Sequence, residues 1–167
     1  MVLGLVAFLV FAPMIVEARR AANNERAQFA RGGVEPRDDV YPAMRVVYPG
    51  MFVGMLIEGA LRGAPPAPLA CAGLVVFVVG KGIKWWAIRA LGPAWTFRVI
   101  VVPGASLVSR GPYRYIRHPN YLGVVGEIVG VAMMTRAVVS GLLAVVIFGW
   151  LLARRLAVEE RALAIIP

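Results

Sequence analysis

One histidine, His118, stands in the most polar and aromatic run of an otherwise apolar chain: Arg110-Gly111-Pro112-Tyr113-Arg114-Tyr115-Ile116-Arg117-His118-Pro119-Asn120-Tyr121-Leu122-Gly123. An imidazole titrates near neutrality and can take or give a proton. Pro119 suits the first turn of a helix, where its missing N–H costs nothing, and it drives His118 out of the helical region. His118 is therefore displayed at a helix start, where free backbone N–H groups attract anions such as carboxylates. Asn120, Gly123, Glu127 and Gly130 follow at three- and four-residue spacing and share one face. Two glycines on a polar-lined face leave room for a ligand, although they read equally well as packing notches. Arg110 and Arg114 read equally well as anchors at a membrane surface.

A second polar group, Arg154-Arg155-Leu156-Ala157-Val158-Glu159-Glu160-Arg161, holds an i,i+4 pair, Arg155 and Glu159. On spacing alone it is a solvated helix end with a salt bridge worth about 0.3–0.5 kcal/mol. Cys71 is the single cysteine and lies in an apolar run, so it is a small packing residue rather than a nucleophile. No metal is expected.

The elements that hold these residues belong to a membrane. The 167 residues make one domain and are 60% hydrophobic, with a mean hydropathy of +0.75. A soluble chain of this length could not hide so much apolar surface, whereas a polytopic chain lets lipid stand in for the missing core. Five apolar segments are expected: residues 2–16, 43–61, 67–86 with the helix running on to Leu91, 119–134, and 137–152 continuing as a helix through Leu163. No basic region precedes the first, so it is a retained span rather than a signal peptide. Between the first two, residues 17–41 read as a short interfacial helix and a loop broken by Gly32, Gly33 and Pro36. Gly50 and Gly54 have a spacing that lets helix backbones approach, and Glu58 is expected to snorkel or pair. Lys81, Lys84, Trp85, Trp86 and Arg89 mark an interface. Residues 95–102 are β-prone, Pro103-Gly104 is a turn, and residues 106–108 are placed to pair back. Thr135-Arg136 leaves the last two spans as a tight helical hairpin. The fold class is thus an all-α integral membrane protein of about five transmembrane helices, with a cytoplasmic loop or hairpin before the fourth. Residues 1–66 form N-terminal spans and a loop, and residues 67–167 form the core.

Placing the N-terminus outside puts sixteen of the eighteen Lys and Arg residues on the inside and leaves Arg62 and Arg136 outside. The net charge of +9 is therefore a topology signal, and no nucleic-acid partner is expected. The C-terminus and both polar clusters fall on the cytoplasmic side, in a bacterial inner membrane.

The run Gly111 to Gly123, followed after a helical hairpin by Arg155-x-x-x-Glu159-Glu160-x-x-Leu163, resembles the isoprenylcysteine carboxyl methyltransferase family. The likeness extends from about Trp86 to Leu163, and Trp95-Thr96-Phe97-Arg98-Val99 is similar to its bacterial branch. Some members of that branch are associated with methylating lipid phenols or pyrones made by type III polyketide synthases. The resemblance implies S-adenosylmethionine as cofactor and methyl donor. It implies that His118, Pro119, Tyr121, Gly123, Glu159 and Glu160 hold that cofactor. It also implies that Arg155 orients carboxylates or meets an anionic substrate, and that Arg117 lies on the substrate side. His118 could serve as base for a phenol, with Arg117 stabilising the phenolate; Asn120 and Glu127 are further substrate candidates. The partners would be a lipophilic or lipidated substrate entering from the bilayer, and membrane lipids. Family members usually continue past the Glu-Glu helix with a basic and aromatic tail, whereas this sequence stops at Pro167; either that tail is dispensable here or the sequence is truncated, and the closure of the pocket depends on which. Two other readings compete: an NADPH-dependent membrane reductase of the sterol-reductase type, which has a similar Arg-His-Pro-Asn-Tyr element, and a non-catalytic membrane scaffold.

Overall fold

Five helices, antiparallel in sequence order, bring five of their ends together at one polar face. They are α1 (Val2–Ala30), α2 (Tyr41–Arg62), α3 (Ala67–Leu91), α4 (Pro119–Thr135) and α5 (Val138–Ala164). The structure is a computed structural model describing residues 2–106 and 108–164. Among the described residues, α1, α2, α3 and α5 are long and apolar enough to cross a membrane. Val75, Val78 and Val79 of α3 and Leu142, Val146 and Trp150 of α5 are exposed. Apolar surface displayed in such runs is suited to lipid rather than water; the chain is an integral membrane protein.

The core is built from Val6, Val10, Phe52, Met55, Phe77, Ile128, Val131, Met134 and Phe148. Helices α3 and α4 form the closest pair, along a seam of glycines. A methyl group on Gly130 would lie 2.6 Å from the backbone nitrogen of Phe77, and one on Gly80 would lie 2.8 Å from the carbonyl oxygen of Gly123. In lipid, helices associate through such close van der Waals approach. At the end away from the polar face, Glu58 does pair: Arg62 Nε lies 2.6 Å from it, and it accepts from the backbone N–H of Val139 and Ser140 at 3.0 and 2.7 Å. It thereby caps the otherwise unpartnered start of α5.

Several expectations change. Gly50 has nothing within 4 Å of an added methyl group, and Gly54 meets only Ser140 Cβ at 3.8 Å, so that pair is not a close helix interface. The separate interfacial helix does not exist: α1 runs unbroken from the membrane through the polar stretch until Gly32 and Gly33. Glu17 did not end the helix, because it is buried against partners on α3. Among the described residues there is no strand pair within 95–108. Val101 instead exchanges backbone hydrogen bonds of 2.8 and 3.0 Å with Val34, since the loop after α1 supplies the nearer edge. The pairing expected of residues 106–108 involves Leu107, which lies outside the described residues. The α4–α5 hairpin is as expected: Arg136, in the left-handed region at φ 55°, makes the turn.

Candidate active site

The loop between α3 and α4 is tied down by α1. Asn24 Nδ2 donates to the carbonyls of Gly92 and Trp95 at 3.1 and 2.7 Å, and Gln28 Nε2 to that of Pro93 at 3.1 Å. Arg98 lies 2.8 Å from Glu35 and 3.5 Å from Glu25, and these carboxylates raise its already high pKa further. Phe97 N–H donates to Glu25 at 3.2 Å. The loop thus becomes a wall, with Trp95 buried against Ala21 and Ile88. On the other flank, the turn Gly111–Arg114 packs on the end of α3, and Arg110 Nε donates to the Ala90 carbonyl at 3.0 Å. Gly111 sits at φ 62°, where a side chain would also strike Ala90.

These walls and the helix ends enclose a cavity of about 500 Å³, within the usual range for small-ligand sites. Its rim holds His118, Asn120, Tyr121, Arg155 and Glu159 together with Tyr113 and Trp95. Tyr121 links the two halves of the chain. Its hydroxyl donates to Glu159 Oε2 at 2.6 Å and accepts from Arg155 Nε at 2.9 Å. His118 stacks on the Tyr121 ring, with centroids 5.5 Å apart and planes 15° from parallel, and its Nε2 is 3.7 Å from Glu160 Oε1. Burial and the Glu159 carboxylate both push the Tyr113 phenol above its ordinary pKa, burial most, so it stays a neutral hydroxyl. Asn120 Oδ1 accepts from Trp95 Nε1 at 3.4 Å.

The floor is ionic. Glu17 of α1, Lys84 of α3 and Glu127 of α4 are 1%, 3% and 2% exposed. Lys84 Nζ is 2.6 Å from Glu17 and 3.3 Å from Glu127, and Lys81 Nζ is 3.2 and 3.0 Å from the same two carboxylates. Tyr48 of α2 donates to Glu127 Oε2 at 2.7 Å. Tyr48 and Lys84 line the cavity, together with Met14, Met44, Pro49, Val124 and Phe148.

A protein-family model described as the isoprenylcysteine carboxyl methyltransferase (ICMT) family matches residues 72–165, more than half of the chain. The chain belongs to this family. It is 29% identical over 160 residues to the Bacillus subtilis protein described as "Uncharacterized protein YpbQ", covering 93% of this chain and 95% of that one. It is 22% identical over 142 residues to an "Uncharacterized protein" of Haemophilus influenzae, covering 84% and 83%. No solved structure matches the chain.

Within this methyltransferase framework the expected residues separate. His118, Asn120, Tyr121, Arg155 and Glu159 share the cavity. Pro119 is buried at the helix start beneath them, and Glu160 is exposed beside His118. Gly123 and Gly130 do not leave room for a ligand. A methyl group on Gly123 would lie 2.7 Å from the Gly80 carbonyl and 2.8 Å from Lys84 Cβ, so this face of α4 is spent on α3. Arg117 is exposed and does not line the cavity: of the two residues leading into α4, only His118 turns inward. Glu127 faces the ion cluster behind the floor rather than the rim.

Three groups escaped the sequence reading. Asp39 accepts from Tyr41 N–H at 3.0 Å and from Val99 N–H at 2.8 Å, and lies 3.6 Å from Arg155 Nη1. It therefore ties α2, the loop wall and α5 together. Its signal is an Asp two residues ahead of a helix start, where the side chain commonly accepts from the backbone N–H two residues on. Tyr48 carried no signal, being one aromatic among apolar neighbours. Lys81 and Lys84 carry the signal of charge within an apolar helix, which by sequence reads as an interface marker, and Glu17 reads as the first residue of a polar stretch.

Proposed function

We propose that the protein is an S-adenosylmethionine-dependent O-methyltransferase acting on a carboxylate or hydroxyl of a lipophilic or lipidated substrate. Its N-terminus is outside and its C-terminus in the cytoplasm, in a bacterial inner membrane. The observation that carries this reading is the convergence of His118, Tyr121, Arg155 and Glu159 on one cavity in a chain of this family. The donor set suits the cofactor. A carboxylate such as Glu159 complements an ammonium or ribose hydroxyls, and the rings of Trp95, Phe97, Tyr113 and Tyr121 suit a sulfonium and an adenine. When bound, S-adenosylmethionine supplies an electrophilic methyl group.

The chain's own part is positioning. Arg155, held between Asp39 and Tyr121, fixes the hydroxyl that orients Glu159. The loop wall of residues 95–102 keeps water from the reacting centre, which strengthens the electrostatics inside. The apolar lining of Met14, Met44 and Phe148 receives the acceptor's hydrocarbon part, so that acceptor and donor meet in line, a proximity task. The test is binding and turnover by the purified chain. Saturable binding of S-adenosylhomocysteine without binding of NADPH, and transfer of labelled methyl groups to a lipid extract, are expected. Binding of NADPH alone would favour the reductase, and binding of neither by folded protein would favour a scaffold. Undiminished transfer by a folded His118→Ala, Glu159→Ala variant would sink the site assignment.

A further inference from the structure

We infer that Asp39 keeps Glu159 free for the methyl donor, by drawing Arg155 away from the carboxylate it would otherwise neutralise. Asp39 is thus a positioning residue that acts through Arg155. This deepens the methyltransferase reading and rests on the donor-binding role given there to Glu159.

Arg155 and Glu159 stand four residues apart on α5, the spacing at which a helix lets opposite charges meet. Among the described residues, these two make no direct ion pair. Arg155 Nε donates instead to the Tyr121 hydroxyl at 2.9 Å, and its Nη1 lies 3.6 Å from Asp39 Oδ1. The Tyr121 hydroxyl in turn donates to Glu159 Oε2 at 2.6 Å. A neutral hydroxyl therefore stands between cation and carboxylate. Glu159 is oriented by that one bond and keeps its charge for a ligand, which is what a carboxylate needs in order to take an ammonium or a pair of hydroxyls.

Two features let Asp39 win the competition for Arg155. The side chains of Arg155 and Asp39 are 8% and 3% exposed, whereas Glu159 is half-buried, and an attraction is screened least where water is excluded. Asp39 is also fixed independently of Arg155. Its Oδ1 accepts from Tyr41 N–H at 3.0 Å and its Oδ2 from Val99 N–H at 2.8 Å. The segment that carries it is anchored to the loop wall again where Val34 pairs with Val101 and Glu35 with Arg98. Asp38, next to it, also reaches α5, with Arg161 Nη2 at 2.5 Å, but those two side chains are 55% and 67% exposed, and such a surface pair contributes little. Asp39 lies outside the family-matching residues 72–165, so the site is completed from the N-terminal part of the chain.

The experiment is calorimetric titration of the full chain in detergent with S-adenosylhomocysteine. Asp39→Asn keeps the shape, removes the charge and releases Arg155 onto Glu159. Its Kd should rise about fivefold or more, the size of a coupling between neighbouring charged groups, while Asp38→Asn should stay within twofold of wild type. Removing the cation as well should restore binding. Gln carries its amide nitrogen where Arg carries Nε, so Arg155→Gln keeps a donor for Tyr121. The protein with both Asp39→Asn and Arg155→Gln should therefore bind more tightly than Asp39→Asn alone. In a Glu159→Gln background, Asp39→Asn should change the Kd less than twofold, an insensitivity that damage to the fold would not produce. Where Asp39→Asn does not fold, Asp39→Ser carries the test, because a serine hydroxyl makes the same turn onto Tyr41 N–H more weakly. A Kd within twofold of wild type for Asp39→Asn, an equal loss in Asp38→Asn, a loss that persists in full in the Glu159→Gln background, or no recovery with Arg155→Gln would overturn the inference and leave the methyltransferase reading standing. A folded wild type that binds no S-adenosylhomocysteine would overturn both.

Discussion

Tyr121→Phe removes one oxygen and keeps the ring that stacks on His118, so it isolates the hydroxyl joining Arg155 to Glu159. That hydroxyl makes two charge-assisted hydrogen bonds, of 2.9 and 2.6 Å. Such bonds contribute about 1.5–3 kcal/mol each, but the two losses are unequal. Arg155 is 7% exposed, and with the hydroxyl gone its Nε keeps only the looser neighbourhood of Asp39, 3.6 Å from Nη1. Glu159 is half-buried and regains water on losing its donor, which refunds much of its share. The net effect is about 1.5–2 kcal/mol, and at about 1.4 kcal/mol per tenfold the Kd for S-adenosylhomocysteine should rise roughly 10- to 30-fold. Calorimetric titration of wild type and variant in the same detergent measures it. Glu159→Gln is the companion variant, because it keeps the acceptor geometry and loses the charge. A Kd within twofold of wild type for Tyr121→Phe, alongside a large loss for Glu159→Gln, would show that the carboxylate does not depend on Tyr121 for its orientation, and the positioning argument would fail.

Two further predictions concern the scaffold. Gly130→Ala should lower the thermal midpoint in detergent, because its methyl group would meet the backbone of α3 at 2.6 Å and overpacking costs about 1–3 kcal/mol; Gly82→Ala, with nothing within 4 Å, is the matched control and should not lower it. Because burial raises the Tyr113 phenol in the fold, the unfolded chain releases that proton first. The contribution is therefore present below pH 10 and is lost as pH rises beyond it, so Tyr113→Phe should lose less stability than wild type between pH 9 and 11 in thermal melts; parallel declines would refute the assignment.

Helix-scale periodicity and the turn residues made most of the scaffold legible. Gly63-Ala64-Pro65-Pro66 and Thr135-Arg136 separate the helices where the chain turns, and Pro119 starts α4 as its missing N–H requires. The convergence of His118 and Tyr121 with Glu159 was legible as well, because a hairpin of two adjacent helices must return the end of α5 to the start of α4. What was not legible depends on contacts between segments far apart in the chain. The pairing of Val101 with Val34 rather than within its own loop, and the three-way use of Asp39, are set by where α1 lies, and nothing local states that. Gly123 and Gly130 allowed a ligand face or a packing face until α3 was seen to fill the space.

The buried ion cluster lies between these two cases. A charged residue in an apolar helix either ends a span or pairs inside it, and composition cannot separate the two. Depth can. Lys84 is seven residues before the end of α3, Glu127 eight residues into α4, and Tyr48 seven residues into α2. At 1.5 Å per residue all three sit roughly 10–12 Å below the polar face, in antiparallel helices that begin or end there. An acid and a base held at one depth in neighbouring helices are placed to pair. Glu17 is thirteen residues before the end of α1, roughly 20 Å by the same rise. If it shares that level, α1 must stand out beyond the other helices by about two turns. That protruding length is where Asn24 and Gln28 hold the loop after α3. The same charge pairing that closes the floor of the cavity thus fixes the height of the helix that builds its wall.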